Sequence, residues 1–145
     1  MNNIICTTGG VPILKANKKA LDEINLMGNC YWQGKSSFNL IWGDKTYSDF
    51  SSWQSETSQE RGSGNILTGI NADPKLSNPG RGVTLNNAEL LVNLDGYKLS
   101  KSSPVCGKGI NIGMEMGMDG GGRDFYGNKI SPAKQNSIGA FEACK

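Results

Sequence analysis

Asn3-Ile4-Ile5-Cys6-Thr7-Thr8-Gly9-Gly10-Val11-Pro12-Ile13-Leu14 opens the chain with two short apolar runs, the first closed by Thr8-Gly9-Gly10 and the second by the polar residues Lys15 to Lys19. Each run is the length of a short strand and is followed by turn-forming residues. The same grammar continues outward. Glu23-Ile24-Asn25-Leu26 alternates with period two before Gly28-Asn29, and Phe38-Asn39-Leu40-Ile41-Trp42 runs into Gly43-Asp44. None of these segments is joined to the next by a recognised two-residue hairpin loop, so the pattern predicts stacked coils rather than a meander. The predicted class is all-β.

One segment departs from the pattern. Ser48-Asp49-Phe50-Ser51-Ser52-Trp53-Gln54-Ser55-Glu56 offers Ser48 as an N-cap with an acidic residue in the first turn. Phe50 and Trp53 fall three apart, which places them on one face of a short helix near residues 48–56. Gln59 to Asn65, rich in Gly, Ser and charge, is predicted to be a flexible loop. Asp73-Pro74, Asn78-Pro79-Gly80, Asp95-Gly96 and Ser103-Pro104 punctuate the remainder into further short segments.

With 145 residues the chain suits one domain, residues 1–145. Its 37% hydrophobic content and net charge of only +2 exclude a disordered chain and predict neither a nucleic-acid nor an anionic-membrane partner. No apolar stretch approaches the roughly 18 residues of a membrane span, and the N-terminus lacks the pattern of a signal peptide, so no cellular address is assigned. Cys6, Cys30, Cys106 and Cys144 are widely spaced and form no CxxC pair, which argues against zinc. Three of them have apolar neighbours, and buried free thiols are expected.

Four further signatures occur in order: Asn71-Ala72-Asp73-Pro74-Lys75-Leu76; Tyr97-Lys98-Leu99 leading to Ser103-Pro104; Gly122-Arg123-Asp124-Phe125-Tyr126-Gly127-Asn128; and Ile138-Gly139-Ala140-Phe141-Glu142. As an ordered set they resemble the closing coils of right-handed parallel β-helix proteins of the pectate-lyase-like superfamily. Two positions depart from that pattern: Gly107 and Ser137 stand where relatives commonly carry aspartate. The resemblance implies a short right-handed parallel β-helix, a truncated solenoid whose N-terminal coils would leave apolar faces and strand edges uncovered. It therefore implies a homo-oligomer formed through those N-terminal coils. The family is usually secreted and usually acts on polysaccharide.

The chemistry left to the chain is narrow. Histidine is absent, which removes the commonest general base and metal ligand. No basic group is placed to activate a cysteine. Asp119-Gly120-Gly121-Gly122-Arg123-Asp124 lacks the alternating oxygen ligands and closing glutamate of a calcium loop. No catalytic residue, metal or cofactor is assigned. Trp32, Trp42, Tyr47 and Trp53 are candidates for stacking on sugar rings, and Arg123 with Asp124 for meeting a uronate. Against this, Trp42 and Trp53 suit core packing, and the Arg123-Asp124 pair suits fixing a turn. The expected function is a non-catalytic, self-associating module with a polysaccharide as its candidate ligand. The alternative is the C-terminal piece of a secreted polysaccharide lyase or glycoside hydrolase, inactive alone.

Overall fold

The computed structural model describes residues 1–80, 89–90, 94–131 and 134–142, and contains two three-stranded sheets. In the first, strands β1 (Ile4–Cys6), β3 (Cys30–Trp32) and β6 (Ile70–Asn71) run parallel in that order, with Ile4 beside Cys30 and Cys30 beside Ile70. In the second, β2 (Lys15–Ala16) lies parallel to β4 (Leu40–Trp42), and β4 turns back antiparallel into β5 (Lys45–Tyr47). Gly43 and Asp44 form the hairpin loop. Gly43 has φ +62°, which a left-handed first loop position requires.

The first sheet is buried on both faces, as parallel sheets generally are. On one side Tyr31 joins an aromatic core with Leu40, Trp42, Tyr47 and Trp53, against which Ile5 packs. On the other, Cys30 joins Leu99, Val105 and Ile138, with Ile4, Ile70 and Phe141 packed against them. Helix α1 (Phe50–Thr57) closes the aromatic side; Asp49 caps it, its carboxylate accepting from the Ser52 amide at 2.7 Å. The aliphatic side is covered by irregular segments that carry Leu76, Leu99, Val105 and Ile138, and a short helix α2 (Ile112–Met116) lies in the C-terminal part of the chain.

The fold is therefore mixed α/β, which corrects the predicted all-β right-handed parallel β-helix. A solenoid needs sheets that extend coil upon coil, whereas these strands are two or three residues long and each sheet stops at three. The second sheet ends in an antiparallel hairpin, and helical turns interrupt both. Local expectations fared unevenly. The short helix forms at Phe50–Thr57, with Asp49 rather than Ser48 as its cap. The strand expected in Val11 to Leu14 lies later, at Lys15–Ala16. Ile24 is extended but residues 24–26 pair with no described strand, and a 3-10 turn, Lys18–Glu23, precedes them.

Candidate functional site

Among the described residues, β1 has β3 as its single strand neighbour and its outer edge pairs with no other strand. The Asn3 carbonyl accepts from Cys30 N at 2.8 Å and Thr7 N donates to Trp32 O at 3.0 Å, so the odd residues face β3. Main-chain groups alternate along a strand, which turns those of Ile4 and Cys6 outward. Just before the strand, the Asn2 carbonyl accepts from Gly139 N at 3.0 Å, so the C-terminal segment covers the edge there. β2 is also an outer strand, but Pro12 and Lys15 guard it in the way natural edges are blunted. β1, reading Ile-Ile-Cys, carries no such guard.

The nucleophile and acid candidates are committed elsewhere. Cys30 is a free, buried thiol, pushed up to about 12 by burial and then by its neighbours Cys6 and Asp73. Cys6 is free and exposed, and burial of its sulfur with Asp73 nearby raises it as well. Both remain thiols at neutral pH, the less nucleophilic form. Cys106 is disulfide-bonded. The expectation of buried free thiols thus holds for Cys30 and is corrected at Cys6 and Cys106, while Cys144 lies outside the described residues.

The deepest acid is Glu60, with no exposed surface. Its Oε1 accepts from Asn29 Nδ2 and the Tyr31 hydroxyl, both at 2.7 Å, and its Oε2 accepts from Asn29 N at 3.1 Å and Thr68 Oγ1 at 3.3 Å. Four donors from three residues make it a structural hub. It falls within the stretch predicted to be a flexible loop, which is corrected here. Its closest donors, Asn29 and Tyr31, lie about thirty residues away in sequence, so no local signal marks it.

Of the predicted site residues, Trp53 is fully buried, and Trp42 and Tyr47 are nearly so. Trp53 meets Trp42 at 5.8 Å and Tyr31 at 5.6 Å in edge-on contacts. These rings present no free face to a sugar; Trp32, half-buried, retains some surface. Tyr47 donates to Glu56 at 3.1 Å, and Lys45 pairs with the same carboxylate. Arg123 and Asp124 sit apart from the aromatic group, in the turn they were read to fix. Arg123 donates to Gly127 O at 2.7 Å, and the Asp124 carboxylate accepts from the amides of Tyr126, Asn128 and Glu142 and from Asn128 Nδ2, all within 2.9 Å. Burial pushes the Asp124 carboxyl up, but these donors outweigh it and hold the group below its ordinary range.

Among the described residues no helix is long and apolar enough to cross a membrane, and no group of three or more Cys, Asp or Glu is arranged to hold a metal ion. No family model, curated protein or solved structure matches the chain. The likeness to β-helix closing coils therefore rests on the sequence signatures alone.

Proposed function

We propose that this chain is a non-catalytic module that acts by associating with a second copy of itself through the free edge of β1. The observation that carries the proposal is an edge that no described strand covers: the outward main-chain groups of Ile4 and Cys6, with no proline or charge in the strand. Two copies related by a two-fold axis would pair their β1 strands antiparallel, forming about four main-chain hydrogen bonds between Ile4 and Cys6 of the two chains. Val11, a few residues further along the chain and 53% exposed, offers additional apolar surface. The saturated Glu60 and Asp124 carboxylates and the protonated thiols support a structural rather than a catalytic role.

Cys6→Pro tests the proposal. Proline removes an outward amide and is tolerated where a strand's N–H faces away from its ladder. Light scattering over a dilution series should show a dimer of the parent chain and a monomer of the variant, with unchanged far-UV circular dichroism. A parent that is monomeric throughout, or a well-folded variant that dimerises like the parent, would overturn it.

A further inference from the structure

A cavity of about 480 Å³ opens in the C-terminal part of the chain, within the size range of small-molecule sites. Its apolar walls are Ile112, Met114, Met118, Ile130 and Phe141. Met114 is 77% exposed and Met118 is 57% exposed, so nothing in the described protein covers these side chains. Unbranched and polarizable, methionines adapt to the shape of what they bury.

The polar lining has a single sign. Asp119, Asp124 and Glu142 face the cavity, and among the described residues no Lys or Arg lines it. Asp124 is occupied by its turn, and Glu142 accepts from the Ser137 amide and hydroxyl at 2.8 and 2.9 Å. Asp119 is different: its Oδ1 accepts from Gly121 N at 2.9 Å, while its Oδ2 bonds no other described residue. Arg123, between Gly122 and Asp124 in the chain, donates to Gly127 O at 2.7 Å, and Lys98, 5.8 Å from the Phe141 ring centre, is held by Asp95 at 2.7 Å.

From this combination we infer that the cavity binds an organic cation: an ammonium group on a compact apolar body. The head group meets Asp119, and the body lies between Met114, Met118 and Phe141. An anionic ligand would face three carboxylates, and a purely apolar one would leave Asp119 Oδ2 unused.

Phenethylammonium and phenethyl alcohol, nearly identical in shape and differing in charge, separate the terms. Titrations followed by NMR should show both binding, with the ammonium ion favoured about threefold to fivefold, the range of a solvent-exposed ion pair. Asp119→Asn should abolish that preference while leaving the alcohol's affinity unchanged. Replacing Met114 and Met118 together by serine should weaken both ligands. All three positions are exposed or lie on the rim, and circular dichroism checks that the variants fold. Because Asn2 and Gly139 line the cavity and flank β1, the titrations are repeated on Cys6→Pro, which keeps this site separable from self-association. Equal affinity of the parent for the two ligands would overturn the cation assignment, and binding of neither at millimolar concentration would overturn the site.

Discussion

Glu60 enters the interior with no cation among the described residues, and its stability depends on donors alone. The backbone is committed to this arrangement too: Glu60 has φ +54°, and a Cβ on Gly69 would fall 2.5 Å from Glu60 Oε2, so position 69 admits only glycine. Glu60→Gln keeps the shape but turns one acceptor into a donor. With Oε1 needed by Asn29 Nδ2 and Tyr31, the new amide nitrogen faces the Asn29 N–H. The expected cost is about 1–3 kcal/mol, read as a lowered urea midpoint at unchanged slope. An unchanged midpoint would mean that the hub is dispensable. Asp124 makes a second prediction through pH. Its folded-state carboxyl lies below the unfolded one, so its stabilisation is present above the unfolded value of 3.8 and is lost as pH falls through the folded value. Asp124→Asn, which can still accept through one oxygen, should flatten the acid limb of the stability curve below about pH 4. A limb as steep as the parent's would place the acid sensitivity elsewhere.

At the scale of elements, α1 is held by the rings it delivers. Phe50 and Trp53 share a face, as their spacing predicts, and both reach Tyr31, with ring centres 5.6 Å away. Trp53→Ala should cost about 3–5 kcal/mol, the range for deleting a large buried aromatic, and would leave a small domain like this largely unfolded. Trp53→Phe, which refills part of the space, should recover much of the thermal midpoint. Equal loss in both variants would point to the helix backbone rather than the packing. Such packing was legible because it repeats a local period. The segment Ile24 to Leu26 shows what was not. Ile24 is extended, as the alternation predicts, but the segment is held by Gln59 and Glu60: the Gln59 side chain accepts from Leu26 N at 2.8 Å and donates to Ile24 O at 3.1 Å, and Glu60 N donates to Leu26 O at 2.7 Å. An amide more than thirty residues away imitating a strand leaves no trace in local sequence. The hairpin β4–β5 is hidden for the opposite reason: Gly43-Asp44 signals a turn, yet Lys45-Thr46-Tyr47 is too short and polar to declare itself a strand.

The whole molecule has one sheet between two unlike cores, and this asymmetry explains why the solenoid expectation failed. The parallel pairs Ile4–Cys30 and Lys15–Ile41 share one offset along the chain, the kind of register that stacked coils would show. The offset is then lost: the next parallel pair, Cys30–Ile70, is about forty residues apart, with α1 and Glu60 in between, and in the second sheet the antiparallel β5 takes the place beside β4. The signatures in the C-terminal part instead build turns that cover the aliphatic face through Val105, Ile138 and Phe141. Among the described residues those turns have few strand ladders: isolated bridges join Leu76 with Leu99 and Arg123 with Lys129. Their order rests on side-chain caps such as Asp124 and on the disulfide at Cys106. Amide hydrogen exchange should therefore be slowest in Cys30–Trp32 and Leu40–Trp42 and distinctly faster across residues 103–142. Reducing the disulfide removes a constraint of the order of 2–4 kcal/mol. It should speed exchange in the C-terminal segment while Leu40–Trp42, packed between Tyr31, Tyr47 and Trp53, changes little. If reduction accelerates both regions equally, the two cores form one cooperative unit, and the aromatic side depends on its C-terminal cover for its stability.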